Sequence, residues 1–138
     1  MQGGTGNDAL WGDADKDSLD GGAGNDTLLG GEGSDTLYGS EGDDQMFGDA
    51  GNDLFVFGDI SGHATVDGGS GNWTDVIEID MADGPAGSAA GGNWTLEIED
   101  HKIVDGHDHG AVDVNGAEGT IHTEHGDINF DNIDKIEW

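Results

Sequence analysis

Residues 21–38 read GGAGNDTLLGGEGSDTLY, which is two consecutive copies of one nine-residue unit. The unit occurs six times without a gap between residues 3 and 56. Its first position is always Gly, its sixth is always Asp, and its eighth is always a large apolar residue. A turn, a carboxylate and an apolar side chain that return every nine residues predict a solenoid that binds a hard cation. Each unit is expected to form a six-residue turn and a three-residue strand.

The regular spacing of the repeat distinguishes between two interpretations, a folded roll and a flexible acidic linker. Gly-rich, charged segments commonly stay disordered because they bury too little apolar surface. A linker has no need for an apolar residue two places after every sixth-position Asp, so the register favours a fold. Without calcium, the repelling carboxylates favour disorder instead. The apolar residues at position eight are Leu10, Leu19, Leu28, Leu37, Met46 and Phe55.

Composition narrows the class of partner. The chain has 138 residues, a net charge of −28 and no cysteine. Such a charge repels nucleic acid and anionic membranes and attracts cations, and the lack of cysteine excludes disulfides and thiolate metal sites. No apolar run approaches the roughly 20 residues of a membrane span, and no N-terminal signal peptide is present. Because the chain opens directly on a repeat, we interpret it as a fragment of a longer protein.

The six units closely match GGxGxDxUx, where U is a large apolar residue. On these residues, 3–56, the chain resembles the RTX (repeats-in-toxin) family of calcium-binding β-rolls. The resemblance implies an all-β fold, a right-handed parallel β-roll in which two units form one coil. It also implies calcium between units n and n+2. The expected ligands are the carbonyls of positions two and four and the Asp of one unit, with the carbonyls of positions one and three and the Asp of the other.

Carried over residue by residue, the resemblance implies four calcium sites. The first joins Gly4, Gly6 and Asp8 to Gly21, Ala23 and Asp26. The second joins Asp13, Asp15 and Asp17 to Gly30, Glu32 and Asp35. The third joins Gly22, Gly24 and Asp26 to Gly39, Glu41 and Asp44. The fourth joins Gly31, Gly33 and Asp35 to Gly48, Ala50 and Asp53.

Two features extend or modify this set of sites. Asp13 and Asp15 stand where Gly is usual, and since Asp tolerates the left-handed conformation the second site is expected to persist. After residue 56 the register fails, and residues 68–75 read as one unit stretched by insertion. Asp75, with Asp49, Gly51 and Asp53, is a candidate fifth site. The expected content is therefore four to five Ca²⁺ ions.

The roll is expected at residues 3–59. The sequence of residues 60–138 predicts a divergent repeat followed by a β-strand cap. Strands are expected at residues 76–79, 94–98, 102–104, 111–114 and 120–122, with a loop at 82–92. The repeated Gly-Asn-Trp-Thr at 71–74 and 92–95 indicates two similar hairpin arms. The tail at 128–138 resembles the end of many RTX proteins, which caps the roll and lies near the type I secretion signal. Ile136 and Trp138 are the residues expected to close the core.

Aromatic and histidine residues leave alternatives open. Position nine of alternate units would form an outer apolar strip of Trp11, Leu29 and Phe47, covered by the C-terminal cap or, second, by a partner or upstream domain. Buried core positions are favoured for Trp73 and Trp94 over sugar stacking. The segment at 105–109, DGHDH, contains His107 and His109 and is interpreted as an exposed hairpin tip. The alternative is a transition-metal site joined by His101, His122 or His125.

The resemblance favours a calcium-dependent folding and secretion module of a large secreted bacterial protein, such as an adhesin. Its partners would be calcium and, transiently, a type I ABC transporter. The alternative is a carbohydrate- or ligand-binding module appended to a secreted enzyme or adhesin, with a glycan or upstream domains as partners. An enzyme is disfavoured because the repeat carboxylates are committed to calcium and residues 122–125, HTEH, do not match HExxH.

Overall fold

The repeats and the C-terminal residues form one stacked assembly of strands. The structure, a computed structural model, describes residues 1–58, 61–79, 95–98, 101–105, 111–123 and 126–137. Within these ranges the strands are β1 (Gln2–Thr5), β2 (Ala9–Ala14), β3 (Ser18–Ala23), β4 (Thr27–Glu32), β5 (Thr36–Glu41), β6 (Asp44–Ala50), β7 (Leu54–Phe57), β8 (Gly62–Asp67), β9 (Val76–Ile79), β10 (Thr95–Ile98), β11 (His101–Asp105), β12 (Ala111–His122) and β13 (Gly126–Glu137). The described residues include no helix with the length and apolarity to cross a membrane.

Two stacks of parallel strands form the faces of a β-roll. The odd-numbered strands β1 to β9 stack on one face, and β2, β4, β6 and β8 stack on the other. Within the repeats each residue pairs with the residue 18 positions later, as Leu10 does with Leu28 and Leu19 does with Leu37. Two nine-residue units therefore make one coil, which confirms the predicted parallel β-roll.

The strands of the roll are longer than the three residues expected. Strands β2 to β5 each contain six residues and β6 contains seven. They are longer because pairing continues past position nine into the first three positions of the next unit, as Ala14 shows by pairing with Glu32. The stacked coils therefore hold part of each turn in strand geometry.

The position-eight side chains fill the space between the two faces. Those of units two to six are fully buried, whereas Leu10 of the first coil is only half-buried: the buried set is Leu19, Leu28, Leu37, Met46 and Phe55. Burying one such side chain contributes about 1.5–3 kcal/mol. The core therefore forms through stacking, since each apolar side chain is covered by those of neighbouring coils.

The roll continues beyond the last regular repeat. Val66 on β8 pairs with Met46, and Ile77 on β9 pairs with Phe55, so both keep the position-eight register. Val66 and Ile77 are also buried. The register that fails along the sequence is therefore recovered in space.

Strands β12 and β13 cap the end of the roll. The first part of β13 pairs in parallel with β8 and its last part pairs in parallel with β9, with a bend at Asn132, whose φ is 54°. Strand β12 runs antiparallel along β13 and has Asn115, also at φ 54°, in its own bend. Ile136 is fully buried, as expected for a residue that closes the core. The predicted β-rich cap is confirmed, while Trp138 lies outside the described residues.

Several details of the C-terminal region differ from expectation. The Gly-Asn-Trp-Thr motifs do not mark equivalent arms, because β9 joins the parallel stack whereas β10 pairs antiparallel with β11 and β12. The strands predicted at 111–114 and 120–122 are parts of the single strand β12. The described cap strands stack on the end of the roll, and Trp11 of the outer strip remains 56% exposed. The loop predicted at 82–92 lies outside the described residues.

Candidate metal centre

The six position-six Asp residues, together with Asp75 and Asp134, form two columns, one along each turn edge of the roll. The short Asp column consists of Asp8, Asp26 and Asp44, and the long Asp column consists of Asp17, Asp35, Asp53, Asp75 and Asp134. Along both columns, the backbone N–H of each Asp donates to the carboxylate of the next Asp. The N···O distances are 2.8 and 3.0 Å in the short column and 2.8, 2.8, 2.9 and 3.2 Å in the long column.

In four residues of the two columns the second carboxylate oxygen is buried without a donor. Oδ2 of Asp8, Asp26, Asp35 and Asp53 has no hydrogen-bond partner. Asp26, Asp35 and Asp53 are each only 1% exposed. A buried acceptor left unsatisfied costs about 1–3 kcal/mol, and more when it is charged. Rows of such oxygens fit a hard cation, which accepts carboxylate oxygens as ligands.

Backbone carbonyls of the turns point between successive coils. Gly22 and Gly24 have φ of 96° and 130°, and a methyl group added to them would overlap the carbonyl oxygens of Gly4 and Gly6. The carbonyl of Gly21 points the other way and lies 2.6 Å from a methyl group placed on Gly3. The structure thus brings the expected carbonyls of two coils to the same turn edge as their Asp residues.

The second unit keeps this arrangement despite its two departures from Gly. Asp13 and Asp15 have φ of 71° and 81°, so both adopt the expected left-handed conformation. Methyl groups added to Gly31 and Gly33 would overlap the carbonyl oxygens of Asp13 and Asp15. The backbone therefore points the same way as in the first unit, because Asp replaces Gly at little conformational cost here.

The position-three carbonyls face the preceding coil. The N–H groups of Gly6, Gly24 and Gly33 donate to the carbonyls of Ala23, Glu41 and Ala50, at N···O distances of 2.8, 2.9 and 2.8 Å. Each carbonyl oxygen has a second lone pair, so this hydrogen bond does not exclude a metal ligand role. All four ligand sets expected from the sequence thus have their members on adjacent coils, with Gly30, Glu32, Gly39 and Gly48 at the equivalent positions.

Asp75 lies in the long Asp column although its unit carries extra residues. The N–H of Asp53 donates to Asp75 Oδ1 at 2.9 Å, and Asp75 is 2% exposed. A methyl group added to Gly69 would overlap the carbonyl of Asp49, as in the regular repeats. The turn at residues 68–75 therefore keeps the backbone conformation of the regular turns at Gly69, whose φ is 104°, whereas Gly71 has no positive φ.

Burial disfavours the charged form of these carboxylates when no cation is present. Desolvation raises the pKa of Asp53 to about 7, opposed in part by the hydrogen bond from the Asp35 N–H and reinforced by the neighbouring carboxylates. Desolvation likewise raises the pKa of Asp44 to about 6 and that of Asp75 to about 6. The ion-free fold therefore opposes the ionisation that a calcium ligand requires.

Comparison with known proteins agrees with the geometry. A family model of the RTX calcium-binding nonapeptide repeat (four copies) matches residues 1–28 and 20–55. No curated protein and no solved structure matches the chain. The repeat region belongs to the RTX family.

The sequence did not predict where the short and long Asp columns end. Ala64 occupies the place after Asp44, and Ile128 pairs with Ala64, so the short Asp column stops inside the roll. Asp134 continues the long Asp column from the cap, where no nonapeptide exists. Nothing in the sequence around Asp134 indicates this role, because only the bend of β13 brings it beside Asp75.

A second set of turn contacts was also missed. Position-five side chains of the RTX repeats accept backbone N–H bonds from the following coil. Asn7 accepts from Asn25 at 3.1 Å, Asn25 accepts from Asp43 at 3.1 Å, and Asp43 accepts from His63 at 2.9 Å. The recurrence of Asn at position five, in Asn7, Asn25 and Asn52, was the available signal.

The aromatic and histidine predictions have mixed outcomes. Trp73 is 47% exposed, so the buried position predicted for it is wrong. It lies in the inserted turn, where its ring packs over Gly71. Trp94, His107 and His109 fall outside the described residues, so the predictions for them remain predictions.

Proposed function

We propose that the chain is a calcium-dependent folding and secretion module of a large extracellular bacterial protein, such as an adhesin. The observation that carries the proposal is the set of buried carboxylate oxygens without donors along the two Asp columns. The proposal retains a roll at residues 3–59 and a divergent repeat with a cap at residues 60–138.

Calcium is the ion that these turns favour. Each proposed site combines carboxylate and carbonyl oxygens, and Ca²⁺ accepts six to eight oxygen ligands in irregular geometry. The four sets of ligands in the repeats, with the candidate fifth set that includes Asp75, correspond to four to five ions. Bound calcium would neutralise the columns, and the binding free energy would add directly to the free energy of folding.

Charge and calcium availability connect this folding to export. With a net charge of −28, the ion-free chain repels itself and favours extended conformations. A chain that stays extended where calcium is scarce suits passage through a type I ABC transporter, the route implied by the RTX resemblance. Folding outside the cell, where calcium is abundant, would then oppose return through the transporter.

A calcium titration of the complete chain tests the proposal. Far-UV circular dichroism should show little β structure in excess chelator and a cooperative gain on adding calcium. Magnesium should substitute poorly because it requires near-octahedral geometry and loses water reluctantly. Native-like dichroism in chelator would disprove calcium-dependent folding.

An exposed aromatic side chain supports a second candidate, a carbohydrate- or ligand-binding module. Trp73 presents part of its ring to solvent from the inserted turn that ends at Asp75. A glycan array with and without calcium tests this candidate, with Trp73→Ala and Trp11→Ala as matched variants. Calcium-dependent binding lost only in Trp73→Ala would favour it over a folding module alone.

No catalytic role is part of the proposal. The RTX repeat is a structural calcium-binding unit. Its position-six carboxylates are assigned to calcium, which leaves them unsuited to act as general acids or bases.

A further inference from the structure

Two histidines and a carboxylate lie side by side on three neighbouring strands at the capped end of the roll. Asp127 on β13 pairs with His63 on β8 in parallel register, and His122 on β12 pairs with Asp127 in antiparallel register. Neighbouring strands are about 4.8 Å apart, and directly paired residues project from the same face. The backbone therefore sets out a His–Asp–His row, defined here as His63, Asp127 and His122.

Both histidine rings approach the central carboxylate. His122 Nδ1 lies 2.9 Å from Asp127 Oδ1, and His63 Nε2 lies 3.8 Å from Asp127 Oδ2. The side chains of His63 and His122 are 66% and 45% exposed. The row is therefore open to solvent and accessible to an ion.

A carboxylate also lies beside the outer nitrogen of each ring. His63 Nδ1 is 3.5 Å from Asp43 Oδ1, and His122 Nε2 is 3.5 Å from Glu97 Oε2. Metal-binding histidines commonly place their second ring nitrogen against a carboxylate, which fixes the tautomer and raises the basicity of the ligand nitrogen. Both ends of the His–Asp–His row have this arrangement.

We propose that His63, Asp127 and His122 bind a divalent transition metal, with Zn²⁺ as the best match. Two imidazole nitrogens and one carboxylate form a three-ligand set that leaves a coordination position for water. The nitrogens distinguish this site from the oxygen-only turns, because imidazole suits Zn²⁺, Ni²⁺ and Cu²⁺ whereas Ca²⁺ prefers oxygen.

The two rings would have to move toward each other to complete the site. As they stand, no three of the described His, Asp or Glu side chains surround a common point at coordination distance. In a tetrahedral zinc site with bonds of about 2.0–2.1 Å, the ligand atoms lie about 3.3 Å apart. The rings approach different oxygens of Asp127, His122 Nδ1 lying 2.9 Å from Oδ1 and His63 Nε2 lying 3.8 Å from Oδ2, so a shared ion requires both rings to turn. Rotation of the exposed rings over Asp127 supplies the remaining movement.

Protons would compete with the metal for this site. The hydrogen bond that the His122 ring donates to the Asp127 carboxylate raises the pKa of His122, with a further contribution from Glu97. Zinc binds the neutral imidazole, so its affinity should fall as the pH drops through the His122 pKa. Calcium binding to the turns of the repeats does not require neutral histidine, so the two metals are separable.

Zinc titration calorimetry on the calcium-saturated full chain tests the proposal. The wild type should bind one Zn²⁺ at this site. His63→Gln, His122→Gln and Asp127→Asn should each weaken that binding by on the order of 10-fold or more, and Glu97→Gln by roughly 10-fold. The three ligand positions are solvent-accessible, so circular dichroism during calcium titration should show unchanged folding.

The double variant His107→Gln with His109→Gln is the matched control, because it removes two histidines outside the row. Its zinc affinity should equal that of the wild type. The proposal is overturned if the wild type binds no zinc. It is equally overturned if the three ligand variants bind like the wild type, or if only the His107/His109 variant loses binding.

Discussion

The two Asp columns start alike and end differently. Both begin in the first two repeats and share one pattern of N–H to carboxylate bonds. The short Asp column stops at Asp44, because Ala64 and then Ile128 take the next positions. The long Asp column passes through the stretched turn at Asp75 and reaches Asp134 in the cap.

This difference shows that a residue can occupy a position in the Asp column without belonging to the nine-residue motif. Asp134 keeps the column contact with no nonapeptide around it, whereas Ala64 lies at the right place and lacks the carboxylate. A column therefore depends on which side chain the stacking brings to the turn edge. The turn edge of the long Asp column keeps carboxylates up to the cap, whereas the turn edge of the short Asp column joins the apolar core.

Removal of the cap should have the largest effect, because it takes away Asp134 of the long Asp column and the strand that covers Ala64 beyond the short Asp column. A chain that lacks residues 111–138 loses six buried side chains: Val114, Ile121, Ile128, Phe130, Ile133 and Ile136. At about 1.5–3 kcal/mol each, their loss is comparable with the total stability of a small domain, about 5–15 kcal/mol. Circular dichroism should show no cooperative folding at calcium concentrations that fold the complete chain. A truncated chain that titrates like the complete one would limit the tail to a transport signal.

Substitution inside a column should destabilise more than substitution at its start. Asp35→Ala leaves the Asp17 N–H without its acceptor, whereas Asp8 accepts no such bond from an earlier coil. An orphaned donor costs about 1–3 kcal/mol, and Asp35 is also assigned to two ions. The calcium midpoint of folding should therefore shift more in Asp35→Ala than in Asp8→Ala. Equal shifts would contradict the pairing of unit n with unit n+2.

Extension of the short Asp column tests why it ends. Ala64→Asp places a carboxylate opposite Asp44, at a position that is 4% exposed. We expect one additional bound calcium ion by calorimetry and lower stability in calcium-free buffer, since the new charge is buried. Ala64→Asn is the control, because its amide can accept an N–H bond without adding charge. An unchanged ion count would show that the missing carboxylate is not what ends the column.

The smallest expected effect is the pH dependence of the ion-free fold. The pKa of Asp53 is raised to about 7 and that of Asp44 to about 6 in the folded state, against about 3.9 for an unfolded Asp. A raised carboxyl pKa favours folding below the unfolded value, and this contribution is lost as the pH rises through about 6 to 7. Calcium-free protein should therefore show more β structure at pH 4 than at pH 8. Asp53→Asn should reduce the dependence, and a flat profile in the wild type would count against burial of these carboxylates.

The strict nine-residue period of the sequence determined a solenoid with an apolar position-eight core, and the RTX resemblance implied the β-roll with a coil of two units. The sequence also indicated that Asp13 and Asp15 adopt left-handed backbone conformations, since the repeat requires a turn there. The continuation to Asp75 was visible as a stretched unit. Each of these features depends on local turn chemistry and on side chains that alternate along a strand.

Only the tertiary structure decided what happens at the end of the roll. Asp134 joins a column, Ala64 ends one, and His63, Asp127 and His122 form a row because bends and insertions bring distant strands into register. Trp73 is exposed for a related reason, since the inserted residues lie in a turn outside the stacked strands. Pairing between strands separated by about 60 residues, as for His63 and Asp127, leaves no period in the sequence. It is set by which strand edges the completed roll leaves open.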